Sequence, residues 1–275
     1  MNPVQAIVLG VVQGLTEFFP VSSSGHLVIF QHLFGLREPA LLFDISVHVG
    51  TLLAVVAYFF PDIISLFKAF SRFLAALMRT GTKALATHGG DPDLKMVGLI
   101  LLGSVPTGVL GFGFHQIADQ LFASLLIVGL ALFCTSGLLL GTRLVRSKGR
   151  GIMEFTVNGA LMVGFAQGMA VIPGISRSGA TIAVCLLLGL NRDMAARFSF
   201  LLAIPAILGA LLLNLASGSA TSGAFFTVPI ILGTVTSAGV GYLALASLVR
   251  IVRHGRLFYF APYCFLLAIV VLVMA

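Results

Sequence analysis

Glu17, the serines Ser22, Ser23 and Ser24, and His26 fall within ten residues of one another in a chain whose charged residues make up only 9% of the total. Gln13 and Glu17 are spaced i, i+4 and share one helix face, and His26 falls one turn after Ser22 and Ser23, so its ring can lie on theirs. These residue types suit work on an anion. A carboxylate can take a proton or hold a divalent cation, and a hydroxyl or an imidazole can attack or relay a proton. Three roles stay open for His26: to orient or deprotonate a serine, to attack as the nucleophile itself, or to be a satisfied core histidine.

The same stretch occurs twice. Ala6 to His26 aligns without a gap to Ala160 to Ala180, every pair 154 positions apart. Gln13-Gly14 returns as Gln167-Gly168, and Ser22-Ser23-Ser24-Gly25 as Ser176-Arg177-Ser178-Gly179. The copies differ where charge sits, since Glu17 and His26 face Val171 and Ala180 while Arg177 faces Ser23. This is the pattern of two halves of one site that have diverged. Matching interrupted apolar helices in two halves of a membrane protein place a polar site near the midplane, where the repeats meet.

Arg177 at mid-depth costs about 2.5–3.5 kcal/mol on insertion scales, so it needs an anion: Glu17 or Asp44 as a structural partner, or a bound phosphate, which its planar donor fork suits. The residues after each break open a second short helix, and helix N-termini bind anions. Ser22, Ser24 and Gly25 in one copy, with Ser176, Ser178 and Gly179 in the other, are therefore candidate phosphate contacts. Plain N-capping is the competing reading for the serines. Glu17 is the expected ligand of a divalent cation, Mg or Ca, with Gln13 offering a carbonyl oxygen. Asp44, Ser46 and His48 open the next span as candidate supports, Asp44 being equally suited to a solvated or capping position.

The elements that must position these groups follow from composition. Hydrophobic residues are 59% of the chain, a balance that a lipid solvent demands. Apolar runs at about 44–60, 94–114, 121–143, 197–216, 225–249 and 257–275 meet the ~20 residues a span needs. The two repeated segments break at Pro20 and at Pro173-Gly174 into pieces too short to cross singly. The expected fold is an all-α polytopic membrane protein of six full transmembrane spans plus two re-entrant helical hairpins, in one domain of residues 1–275. Three crossings separate the hairpins, which makes repeat one (about 1–143) and repeat two (about 154–275) inverted copies.

The charges support that topology. Lys68, Arg72, Arg79, Lys83, Lys95, Arg143, Arg146, Lys148, Arg150, Arg192, Arg197, Arg250, Arg253 and Arg256 fall in loops on one side, and only Arg37 on the other. By the positive-inside rule both termini lie outside the cytoplasm. Residues 61–93 read as an interfacial amphipathic piece lying on anionic lipid headgroups. The net charge of +7 thus reflects membrane topology and not nucleic acid. No basic region precedes Arg37, so no cleaved leader is expected. Cys134, Cys185 and Cys264 lack metal-ligand spacing and read as buried free thiols. Gly10-x-x-x-Gly14 and Gly164-x-x-x-Gly168 are small-residue faces expected to bring the two hairpins together.

Through Gln13-x-x-x-Glu17-Phe-Phe-Pro-Val-Ser-Ser-Ser-Gly-His26, Pro173-Gly-Ile-Ser-Arg-Ser-Gly-Ala-Thr181 and Phe198-Ser-Phe-Leu-Leu-Ala-Ile-Pro205, the chain resembles the undecaprenyl-pyrophosphate phosphatase family, the bacitracin-resistance proteins. Length and span count agree with it. The resemblance implies an enzyme of the bacterial inner membrane, with its pocket open to the periplasm and a divalent metal. It would hydrolyse a polyprenyl pyrophosphate lipid to the monophosphate and inorganic phosphate, recycling the cell-wall lipid carrier. It assigns Glu17 to metal or acid–base work, Ser23 and His26 to the reacting centre, and Arg177 to phosphate, with Thr181 joining the phosphate-binding set. The first acidic position of the family pattern is here Gln13, which leaves one carboxylate instead of two. The other class of function is a carrier or flippase that moves the phosphorylated lipid uncut. A carrier needs anion donors but no acid and nucleophile converging on its cargo. Self-association into a homo-oligomer is left open.

Overall fold

A computed structural model describes the chain apart from residues 37–40, 116, 118–120, 122–123, 146–148 and 217–226. Arg37, Arg146 and Lys148 of the charge count, and residues 122–123 and 225–226 of two expected spans, lie outside the described residues.

α1 (Pro3–Phe18) starts from a capping box in which Asn2 Oδ1 accepts the Gln5 N–H and Gln5 Oε1 accepts the Asn2 N–H, with Pro3 where a missing donor costs nothing. Pro20 ends it. A residue before proline is pushed out of the helical region, and Phe19 is extended, with ψ 136°. α2 (Ser23–Leu33) follows after four residues. The second copy has the same form: α8 (Val157–Met169), capped by Thr156, then Pro173-Gly174, then α9 (Arg177–Leu187), capped by Ser176. Gly174 has φ +100°, and a Cβ there would stand 2.5 Å from the Val128 carbonyl oxygen, so only glycine serves.

Between and after these lie α3 (Leu41–Tyr58), α4 (Phe60–Thr80), α5 (Lys83–His88), α6 (Pro92–His115), α7 (Leu125–Gly141), α10 (Arg192–Ala216), α11 (Val228–Arg253) and α12 (Ala261–Val273). Among the described residues four helices are long and apolar enough to cross a membrane, or five if the bent pair α3–α4 counts as one span. The last apolar run differs from the expected continuous span: Leu257–Phe260 is a 3₁₀ turn, and α12 has only 13 residues.

α4 turns 74° from α3, with Pro61 in its first turn, and carries Lys68, Arg72 and Arg79 beside exposed Phe67, Phe70, Leu74 and Met78. Arg197 is not a loop charge, as its position suggested. It lies in α10, 2.5 Å from Asp62 and 3.5 Å from Asp93, and ties α10 to the starts of α4 and α6. Of the cysteines, Cys185 and Cys264 are buried, but Cys134 is exposed on α7, whose apolar surface needs no polar neighbour there.

The glycine faces correct a second expectation. They do not join the hairpins to each other. α1 packs on α11, where a Cβ on Gly10 would meet the Gly233 carbonyl oxygen at 2.7 Å and one on Gly14 the Gly241 nitrogen at 2.9 Å. α8 packs on α6, Gly164 against Gly103 and Gly168 against Leu110. Each first helix of a hairpin thus lies on a long helix from the other half of the chain, because small residues occur on both partners and let the backbones close.

Candidate active site

The two hairpin tips touch. The Gly174 N–H donates to Ser22 Oγ at 3.2 Å, and Ser178 Oγ donates to the Phe18 carbonyl oxygen at 2.7 Å, which supplies one of the acceptors left open at the end of α1. Ser22 has φ +69°, a left-handed conformation that a non-glycine residue holds only when its surroundings fix it.

At that junction sits Glu17, 8% exposed on the last turn of α1. Arg177 reaches across from the second tip and its guanidinium donates to Glu17 Oε1 at 2.5 Å. Ser23 Oγ donates to Glu17 Oε2 at 2.8 Å, and Gln13 Nε2 donates to the same oxygen at 3.0 Å. His48 Nε2 stands 3.8 Å from it, with Nδ1 on the Asp44 carbonyl oxygen. Of the anions that might have satisfied Arg177, Glu17 takes the place in this structure. Asp44 instead accepts from Gln31 at 2.6 Å, and the Ser46 hydroxyl turns back to the Leu42 carbonyl.

The expected residues divide. Glu17, Ser23 and Arg177 are brought together on one carboxylate. His26 is close in sequence but makes other bonds, Nδ1 to the Ser22 carbonyl oxygen at 2.9 Å and Nε2 to the Tyr263 hydroxyl at 2.5 Å. Ser23, Ser24, Gly25 and His26 are half-buried, and around Gly25 the nearest atom that a Cβ would meet is Ser22 Oγ at 3.9 Å. The second tip is closed. Ser176 caps α9 at Gly179, Ser178 is 2% exposed, and Thr181 bonds Ser199 at 2.5 Å. The capping reading of the serines therefore describes Ser176. Thr135 of α7 pins this tip further, donating to the Gly174 carbonyl oxygen and accepting from the Ser176 N–H.

Two small cavities, about 280 and 180 Å³, lie elsewhere, one between Leu144, Val145 and Gly149 and the end of α9 and one between α4, α6 and α10. Neither is lined by the tips.

Among the described residues no three His, Cys, Asp or Glu side chains stand close enough to cage a metal. Gln13 Oε1 is nonetheless buried without a partner, one turn from Glu17. These two oxygens are what the chain offers a cation, and a hard cation commonly takes one or two carboxylates and completes its shell with substrate phosphates and water. With Arg177 already on the single carboxylate, the fit is to a cation arriving with a phosphate.

Residues 6–270 match the family model described as bacitracin resistance protein BacA. The chain belongs to that family. It is 50% identical over 273 residues to the undecaprenyl-diphosphatase of Desulfatibacillum aliphaticivorans, covering 99% of each chain. It is 51% identical over 270 residues to the protein of that name from Desulfosudis oleivorans, covering 97% of this chain and 96% of the relative. Against that from Carboxydothermus hydrogenoformans it is 41% identical, covering 100% and 98%. Family and apolar helices together make this a multi-pass membrane protein.

Sequence reasoning missed Tyr263, which is 237 positions from His26, and Thr135. No local pattern marks either. His48, a candidate support in the sequence, is the one of Asp44, Ser46 and His48 that stands close to Glu17.

Proposed function

We propose that the chain is an undecaprenyl-diphosphate phosphatase, cleaving the lipid pyrophosphate to undecaprenyl phosphate and inorganic phosphate. Its relatives' names supply the substrate, and one observation carries the chemistry: a single buried carboxylate holds a serine hydroxyl on one oxygen and an arginine on the other, each from a different hairpin tip. Ser23 is then the nucleophile. Its Oγ attacks the terminal phosphorus as the proton on Oγ passes to Glu17 Oε2. The Oγ–P bond forms, the bridging P–O bond breaks, and undecaprenyl phosphate leaves. Water then breaks the phosphoserine bond, the serine regains its proton, and inorganic phosphate departs. Arg177 turns part of its donor fork from Glu17 to the phosphate oxygens. Ser24 and Gly25 lie on the half-buried side of the first tip, Ser22 ties that tip to Gly174, and Ser176, Ser178, Gly179 and Thr181 hold Arg177 in place. A divalent cation, held by Glu17 and Gln13, would offset phosphate charge when bound. No observation favours uncut transport.

We also infer that residues 1–143 and 154–275 are inverted repeats in a bacterial inner membrane, with six spans, two re-entrant hairpins and periplasmic termini. Supporting this are the common offset, the matched helix–break–helix segments, the reciprocal packing of α1 on α11 and α8 on α6, and the charge segregation. A phosphatase reporter fused after Ala275 should be active, and a cytoplasmic fluorescent one dark.

The deciding assay is phosphate release from undecaprenyl pyrophosphate by the purified protein in detergent. No release above an Arg177→Ala control would sink the assignment. An acid-stable phosphoenzyme trapped early in turnover fits Ser23, whereas an acid-labile one moves the attack to His26.

A further inference from the structure

His26 carries a proton on a nitrogen that the fold chooses. Its Nδ1 lies 2.9 Å from the Ser22 carbonyl oxygen, which can only accept, so Nδ1 is the protonated nitrogen and the neutral ring presents a lone pair at Nε2. That lone pair meets the Tyr263 hydroxyl at 2.5 Å, and the two rings stack at 5.8 Å with 19° between their planes. Tyr263 is itself placed by several contacts at the start of α12. The Cys264 thiol donates to the Pro20 carbonyl oxygen, Phe260 stacks on Phe19 at 5.4 Å, and Ser136 Oγ donates to the Ala261 carbonyl oxygen. The last helix is thereby clasped to the bend of the first hairpin, and its one side-chain hydroxyl in that turn ends on the imidazole. Among the described residues neither Ser23, Glu17 nor Arg177 hydrogen-bonds the His26 ring, so Tyr263 is the side chain that holds Nε2, with the Ser22 carbonyl on the opposite nitrogen.

We propose that Tyr263 is a positioning residue for His26: with the tautomer set by the Ser22 carbonyl, it fixes the ring's orientation beside Ser23, and acts on the reaction only through that ring. This rests on the phosphatase reading for its kinetic effect but not for the hydrogen bond. Tyr263→Phe keeps the stacked ring and removes the hydroxyl. With the 46% exposed Tyr263 at the surface, the substitution leaves the packed interior unchanged. The imidazole is then held only by the Ser22 carbonyl and by stacking. The kcat for undecaprenyl pyrophosphate should fall about tenfold, short of the ~10²-fold that a 1 Å misplacement of a reacting group can cost, with KM within twofold. In a His26→Gln background the same substitution should change kcat by less than twofold.

The bond is read independently of turnover by nitrogen NMR of ring-labelled histidine in the full-length protein in detergent, the His26 signals being assigned by difference with His26→Gln. Wild type should show the Nδ1–H tautomer with a hydrogen-bonded Nε2, and Tyr263→Phe a shift of the Nε2 resonance toward the exchanging, solvent-exposed form. An unchanged spectrum overturns the proposal whatever the activity. A normal kcat, a change in KM alone, or an undiminished effect in the His26→Gln background also overturns it, the last two assigning Tyr263 to substrate contact or to general packing. If wild type releases no phosphate, the phosphatase reading fails and the spectrum alone decides whether Tyr263 holds the ring.

Discussion

The two hairpin tips share one sequence pattern and are packed differently. In the second tip every hydroxyl is bonded into protein: Ser176 to its own helix, Ser178 to the end of α1, Thr181 to Ser199, with Thr135 gripping the turn from outside. In the first, Ser23, Ser24, Gly25 and His26 are only half-buried. One tip is a mount and the other a working face. The mount contributes a single reactive group, Arg177, and sends it across to the carboxylate of the other.

If that division is right, substitutions in the first tip should cost turnover without stability, and those in the second, Arg177 apart, the reverse. The largest effect is expected for Ser23→Ala, whose hydroxyl is the proposed attacking group: kcat for phosphate release should fall at least about 10³-fold, with the midpoint of thermal unfolding almost unmoved. A residual rate above a few per cent would return the attack to another group.

Arg177→Lys keeps charge and loses the planar fork. It should reduce kcat/KM by roughly 10²-fold while the protein still folds, because an ammonium can pair with Glu17 but cannot grip two phosphate oxygens at once. Near-normal turnover would make Arg177 a general counter-charge and blur the line between the tips.

In the mount the sign reverses. Thr135→Val leaves the buried Ser176 N–H and Gly174 carbonyl without their partner, at a cost of about 1–3 kcal/mol, and should lower the unfolding midpoint while activity per folded molecule stays within a few-fold. A large fall in kcat with unchanged stability would show that the second tip takes part in the chemistry directly.

The smallest contrast is between two matched glycines. Gly25→Ala enters open space and, by helix propensity, should leave stability equal or higher by about 0.5–1 kcal/mol. Gly179→Ala brings a Cβ within 2.9 Å of Pro20 Cβ and should destabilise. Equal midpoints for the two variants would mean that the tips are not so differently packed.

Much of this was readable in the chain. The repeat put Glu17, Ser23 and Arg177 in one place although 154 positions separate Ser23 from Arg177, because the copies carry complementary charges. The helix ends were readable too, since Pro20, Pro173 and Gly174 act on the backbone next to them. What escaped were partners. A small-residue face announces close packing but does not say against what, and the matching pattern Gly233, Ser237, Gly241 on α11 gains meaning only once α1 is laid upon it. The serines could not be divided into caps and working groups because both uses want a hydroxyl at a helix start. Tyr263 was invisible because a stacked phenol leaves no mark on the sequence around the histidine it holds.

The packing of α1 on α11, and of α8 on α6, also governs how the molecule must be made. Synthesis runs from one end at about 5–20 residues per second, so α1 leaves the ribosome on the order of 10–50 s before the helix that will cover its glycine face. Until Arg177 is added, Glu17 has no guanidinium beside it, and a half-made chain holds a carboxylate in or near the lipid without that partner. The nascent N-terminal hairpin is therefore expected to stay with the insertion machinery, or at the membrane surface, at least until residue 177 has been added. A release of the first half on its own would strand it.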